Sequence, residues 1–471
     1  MNRTVSIAAL AAVPVLLTAC GSLDRATGVA TGFVSHQLCS AAFVSRVEPQ
    51  TFYRESIAPS LGPAGFLVSH TVDRERATVT ARVAGQRSSR AVYRGPLGCL
   101  VLHGDPPVPA DQSLASTAPG LLPPIAGPEV VEPADPALRA ALDRAFEERP
   151  VPPLRQTKAI VVVRDGTLIA ERYAPGYAME TELPGWSATK SVTNALIGIL
   201  VRQGKVTVQG PAPIAAWASP DDPRHAISID NLLRMNSGLD CGQSLTAGAR
   251  DAFDPSAHMV FGERDMAAFA ARRPIKTAPG AEWNYANCNT LLLSQIIRDR
   301  TGGDATGVTA FARRELFDKL GMRHVTLEFD AAGTPIGASH MFAAARDWAR
   351  FGLLYLDDGV VGGERLLPEG WVDYSATKTP GSEEFGYAAG FWTNRGSGDG
   401  ARYRISRGMP ADTFMARGAY GQYVVVVPSQ RLVVARFGTA LDRRNDMDGV
   451  ARLVADVIAL TSRPQAVKVQ P

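Results

Sequence analysis

The spacing of apolar residues changes character along the chain, and each change predicts an element. Behind Arg3, the positions from Val5 to Ala19 are apolar almost without interruption. That run is too short for a membrane span with normal flanks and has the layout of an export signal. Further on, Val79, Ala81 and Val83 alternate with Thr78, Thr80 and Arg82, the period of a half-buried strand, and Ala91-Val92-Tyr93 supplies its partner. These strands belong to a small N-terminal unit, residues 31–103, or 20–103 counted from the end of the apolar run. Residues 104–135 show no period. Pro106, Pro107, Pro109, Pro119, Pro123, Pro124, Pro128 and Pro133 make them an extended linker or a wrapping arm.

Asp135-Pro136 then opens a helix, with Asp as its cap and Pro in its first turn. The runs Ala159–Val163 and Thr167–Tyr173 flank Arg164-Asp165-Gly166, a hairpin signal. A helix over Val192–Val201 follows, and a mostly helical middle extends to about Leu356. Tyr423–Val427 and Leu432–Phe437 flank Pro428-Ser429-Gln430 as a second hairpin. A last helix places Val450, Leu453, Val454, Val457 and Ile458 on one face. Strands at both ends with helices between predict an α/β (α+β) domain over residues 136–462, its antiparallel sheet closed by both termini. A tail, 463–471, remains.

Composition adds little to this picture. The hydrophobic fraction of 45% and charged fraction of 20% are those of a globular protein, and 471 residues suffice for one large domain and a smaller one. A formal charge of +3 with no basic cluster among aromatics argues against a nucleic-acid surface. The seven histidines are too scattered to suggest a metal site, and nothing calls for a cofactor.

Candidate chemistry lies in three stretches. In Gly185-Trp186-Ser187-Ala188-Thr189-Lys190-Ser191, Ser187 sits in the first turn of the Val192–Val201 helix and Lys190 three residues on, on the same face. Gly204 stands where a helix C-cap belongs. A serine at the helix's positive end is favoured as an alkoxide. A buried lysine one turn away is neutral often enough to accept its proton. Alone, the spacing fits an ordinary capped helix with a surface lysine equally well. Second, Trp283-Asn284-Tyr285-Ala286-Asn287 precedes the apolar run Leu291–Ile297. Beside an ammonium, the Tyr285 phenol loses its proton more easily and can relay protons, while Asn287 offers an amide to hold the lysine or a substrate carbonyl. Third, Ala416-Arg417-Gly418-Ala419-Tyr420-Gly421-Gln422 runs into a strand, and a backbone N–H here can join that of Ser187 as an oxyanion hole.

Together these stretches resemble the serine β-lactamase and penicillin-binding-protein superfamily, in its class C β-lactamase-like branch. Leu232-Leu233-Arg234-Met235-Asn236-Ser237-Gly238-Leu239, Ala344–Leu356 and Gly390-Phe391-Trp392 extend the likeness to a subgroup of 6-aminohexanoate-dimer hydrolases and esterases. The resemblance implies Ser187 as nucleophile, Lys190 as general base, Tyr285 as second acid/base and Asn287 as positioning amide. Ser187 and Ala419, the residue after Gly418, would supply the oxyanion N–H groups. It implies an antiparallel sheet flanked by helices beside an all-helical domain, and an ester or small linear amide as substrate. β-Lactam or D-Ala-D-Ala hydrolysis is the alternative within the same chemistry. A non-catalytic cell-wall-binding lipoprotein is the alternative outside it. In β-lactamases the third motif begins with a lysine that helps bind a carboxylate; here Ala416 stands there, with Arg417 pointing to the opposite face of the strand.

Small residues leading into Cys20 resemble a bacterial lipoprotein signal over residues 1–19, cleaved before Cys20 and lipidated on that thiol; Gly21 suits outer-membrane sorting. A plain secretory signal is the alternative. Lipidation of Cys20 leaves Cys39, Cys99, Cys241 and Cys288 for disulfides in an exported, periplasmic protein. Three pairings are open. Cys39–Cys99 and Cys241–Cys288 are favoured because each braces one region; buried free thiols are the alternative. Oligomeric state is not legible.

Overall fold

The computed structural model describes residues 8–83, 87–104, 120–242 and 252–461, with side chains from Leu23 onward and Ala64 excepted. The Cys20 side chain, the start of the apolar run, the 463–471 tail and the prolines at 106–119 lie outside the described set.

Six antiparallel strands form the main sheet, in the order Trp392–Thr393, Phe414–Gly418, Gln422–Val427, Leu432–Gly438, Thr157–Arg164 and Thr167–Tyr173. The sheet is thus closed by both ends of the domain, as the strand pattern predicts. Its turn residues Asp165 (φ 48°) and Gly166 (φ 77°) are both left-handed, the geometry that D-G hairpins supply. Residues 159–163 are all buried because the sheet is covered on both faces. Ile160 and Val162 pack with Leu138, Leu142, Val450 and Val454 of the two terminal helices, Pro136–Phe146 and Met447–Thr461. Ala159, Val161 and Val163 face the other way, into a core that contains Trp348 and Phe351 of the helix Ala345–Leu356.

The helix Thr189–Arg202 runs through the middle of the larger core, buried continuously from Thr189 to Leu200. Burial on every side leaves the helix no solvent face, and the polar Thr193 and Asn194 inside the run donate to the Gly337 (2.9 Å) and Ala389 (2.8 Å) carbonyls. It ends as predicted. Gly204 (φ 68°) donates to the Val201 carbonyl at 2.9 Å, and Lys205 to that of Leu200 at 2.9 Å.

Residues 120–135 behave as a wrapping arm: Leu121 N donates to Lys319 O (2.7 Å), Leu168 N to Ile125 O (2.8 Å) and Glu171 N to Val131 O (3.1 Å). The N-terminal unit is the helix Ala8–Cys39 laid on a four-stranded antiparallel sheet, Val68–Asp73, Thr78–Val83, Ser88–Tyr93 and Cys99–Val101. Val79 stands opposite Ala91, and both are buried with Val34 and Leu38. A disulfide joins Cys39 to Cys99. The unit shares buried polar contacts with the rest of the chain. Ser40 Oγ and Cys99 N both donate to Glu328 Oε1 at 2.8 Å, and Gly32 has no room for a side chain against the Phe261 carbonyl.

Asp347, in the first turn of the helix Ala345–Leu356, also accepts Arg323 N (3.0 Å) and His324 N (2.8 Å) with its carboxylate, tying down the preceding loop. Ala344 caps the helix with no side-chain hydrogen bond.

Candidate active site

Ser187 lies in a single 3-10 turn, Trp186–Ala188, that leads into the central helix. The residue before it, Trp186, is left-handed at φ 45°, an unusual conformation for a bulky side chain and one that sites often hold. One turn on, Lys190 Nζ lies 3.0 Å from Ser187 Oγ. It also donates to Asn287 Oδ1 at 2.7 Å and to the Ala338 carbonyl at 2.8 Å. Asn287 Nδ2 donates in turn to Ser256 Oγ at 3.0 Å, which fixes the amide with its oxygen toward the lysine. The Tyr285 side chain is hydrogen-bonded to that of Ser187, with Lys190 Nζ 5.0 Å from its ring centre. The first two stretches therefore meet at one point.

The Leu232–Leu239 stretch holds the tyrosine loop. Met235 is left-handed (φ 61°), its carbonyl accepts Asn284 N at 2.8 Å, and the Asn236 carbonyl accepts Gly280 N at 2.7 Å. At Gly238 (φ 77°) any side chain would strike the Thr277 carbonyl. A disulfide between Cys241 and Cys288 fastens the same loop beside Asn287.

The third stretch abuts the serine turn. Gly418 closes its strand opposite Gln422, and a side chain there would collide with the Gly185 carbonyl. Ala419 follows, then Tyr420 (φ 62°), whose ring meets Trp186 edge-on at 5.2 Å. Strand alternation sends Ala416 into the core and Arg417 to the other face, where its guanidinium lies 5.2 Å over Trp392 and 5.8 Å over Tyr423.

Burial dominates the electrostatics. Lys190 is pulled down to about 7 because its ammonium is desolvated. Tyr285, packed against Tyr387 (5.3 Å) and Trp392 (5.4 Å), is pushed up to about 12 by desolvation, against the smaller lowering effects of the Ser187 hydrogen bond and the Arg417 charge. This reverses the expected ionisation of the phenol. Near neutrality the lysine is the group ready to take a proton, and the tyrosine is the one holding a proton.

Ser256, the Ala338 carbonyl and Trp186 escaped the sequence reading. Asp254-Pro255-Ser256 looks like a plain helix start, and a carbonyl has no signature of its own. Two scattered histidines also meet. His36 Nε2 lies 3.2 Å from Glu328 Oε2, and the ring centres of His36 and His340 are 4.6 Å apart, all three residues being buried. Both nitrogens of His340 have near neighbours, Gln37 Nε2 at 3.2 Å and Ser339 Oγ at 2.7 Å, so it is a satisfied internal histidine.

Known proteins share this fold. A 6-aminohexanoate-dimer hydrolase of Paenarthrobacter ureafaciens is 26% identical over 301 residues, covering 60% of this chain and 72% of that one. Among solved structures, a family VIII carboxylesterase superposes with a TM-score of 0.54 at 14% identity, covering 70% of this chain and 98% of the other. A penicillin-binding protein homologue from Caulobacter crescentus gives 0.52 at 16% identity, over 70% and 99%. The family model described as Beta-lactamase matches residues 142–459, well over half of the chain and the whole of the site. With its sheet, its central helix and its S-x-x-K and Y-x-N stretches in contact, the chain belongs to the beta-lactamase family of hydrolases.

Proposed function

We propose that the protein is a serine hydrolase that cleaves a carboxylic ester or a small linear amide through an acyl-enzyme on Ser187. One observation carries the proposal: Ser187 Oγ lies 3.0 Å from the ammonium of a buried lysine, and that burial pulls the lysine down to about 7. Neutral Lys190 takes the Ser187 proton as Oγ attacks the carbonyl carbon. The carbonyl electrons move to oxygen, where the N–H groups of Ser187 and Ala419 stabilise the oxyanion. As the tetrahedral centre collapses, Tyr285 gives its proton to the leaving alcohol or amine and recovers it from the protonated Lys190. Water then attacks the acyl-enzyme and gives one proton to the Lys190–Tyr285 pair, the acid departs and Ser187 Oγ is reprotonated. Asn287, held by Ser256, keeps the lysine aimed.

The ester or linear amide preference rests on the hydrolase and carboxylesterase among the similar proteins and on Ala416. That residue is buried and uncharged, and the cation beside it, Arg417, lies over Trp392 and Tyr423. Treatment with a fluorophosphonate should label Ser187 in the folded protein, and p-nitrophenyl esters should turn over in the parent and not in Ser187→Ala. An unlabelled Ser187, or equal turnover by the two proteins, would refute the proposal.

We also infer export and lipid anchoring at Cys20. The apolar run before it and two disulfides, bonds that persist in oxidising compartments, support this reading. Among the described residues no helix is long and apolar enough to cross a membrane. Metabolic labelling with a palmitate analogue, lost in Cys20→Ala, tests the anchor.

A further inference from the structure

The N-terminal unit lies outside the stretch matched by the family, yet three of its contacts converge on the backbone around Ser187. Gln37 Nε2 lies 3.2 Å from His340 Nε2. His340 is two residues from Ala338, whose carbonyl accepts from Lys190, and its own N–H closes that loop on the Ile336 carbonyl at 2.9 Å. The loop that receives the lysine is therefore pinned from the N-terminal helix.

The second contact is a crevice in which Phe33, Gln37, Phe52 and Ile57 of the N-terminal unit face Trp186 and Tyr420. These last two residues flank the oxyanion pair: Trp186 immediately precedes Ser187, and Tyr420 immediately follows Ala419. Both are left-handed, at φ 45° and 62°, and their rings touch. A non-glycine residue stays in that conformation only when its surroundings hold it there, and the N-terminal unit supplies part of those surroundings. Third, Ser60 Oγ donates to the Tyr420 hydroxyl at 3.1 Å.

We propose that the N-terminal unit is a positioning element of the hydrolase, holding the Lys190-accepting loop and the two oxyanion turns in register around Ser187. None of its described residues makes a hydrogen bond to Ser187, Lys190 or Tyr285. The inference rests on Ser187 being the nucleophile. Its consequence is that the unit acts on the chemical step and little on ground-state binding.

The test uses the full chain and the variants Gln37→Leu and Phe52→Ala, with p-nitrophenyl ester kinetics, the fluorophosphonate labelling rate at Ser187 and thermal unfolding. Displacing catalytic groups by a fraction of an ångström should lower kcat and the labelling rate about ten- to hundredfold, with KM little changed. In Gln37→Leu the acidic limb of the pH profile should also move to lower pH, since a displaced Ala338 carbonyl no longer stabilises the lysine ammonium. A purely structural role would lower the melting temperature and leave the limb in place. Folded variants with parental kcat, labelling rate and limb overturn the inference. If either variant fails to fold, Ser60→Ala, which removes one hydrogen bond at the seam, carries the same test with a severalfold loss expected. A parent protein that neither turns over esters nor labels would instead bring down the nucleophile assignment itself.

Discussion

Among the described residues the Lys190 ammonium meets three uncharged acceptors and no carboxylate. Its desolvation is therefore uncompensated by an opposite charge, which is why its titration falls from 10.5 to about 7. A base works when neutral, so kcat/KM for an ester should rise with pH through about 7 and level off above it. Tyr285, held up to about 12, stays protonated across that plateau. A profile flat from about pH 5 to 9 would remove Lys190 from the role of base. At this scale the sequence was half legible. Spacing placed Ser187 and Lys190 on one helical face, and the family resemblance implied Asn287 beside them. It could not give the direction of the Tyr285 shift, because that depends on Tyr387 and Trp392, more than 100 positions away, packing around the phenol. Asp347 shows the same limit, since a carboxylate near a helix start is as free to hold a neighbouring loop as its own helix.

Elements were more legible than residues, for a physical reason. The D-G turn, the Asp135-Pro136 start and the Gly204 stop are each set by local backbone preferences that need no partner. The tyrosine loop is different. It is irregular, and it is held by Met235, Asn236 and the Cys241–Cys288 bond. That bond closes a loop of sequence separation 47, for which chain entropy alone gives about 4 kcal/mol, within a common range of 2–5 kcal/mol. Cys288→Ser should lower stability to denaturant by about 2–4 kcal/mol. Because Cys288 adjoins Asn287, it should also lower kcat in protein that is still folded. Unchanged kcat at low denaturant would show that the loop holds its shape without the bond.

Across the whole molecule, the N-terminal unit and the hydrolase domain share a buried polar seam that no local pattern announces. His36 and His340 are 304 positions apart in the chain, and Glu328 between them carries no motif. Burial pushes Glu328 up to about 8, despite hydrogen bonds from Cys99 and Ser40 that favour its charge. A carboxyl raised in the fold stabilises it fully below its unfolded value of about 4.5. That contribution is lost as pH rises through about 8. Glu328→Gln cannot ionise, so its melting temperature relative to the parent should improve between about pH 5.5 and 8.5. A constant difference would show that Glu328 ionises freely in the fold. The fold class and sheet closure were legible because both terminal runs of strands were; the seam was not, since its members belong to different elements.

Strand Thr157–Arg164 lies between Thr167–Tyr173 and Leu432–Gly438, and the second of these neighbours is among the last parts of the domain to be synthesised. Until it arrives, the nascent chain carries an unpaired strand edge lined with valines and cannot close its core. The sheet therefore cannot close until that strand has emerged. Until then the exposed edge can pair with another chain, so the late strand guards the domain against association as well as completing its sheet.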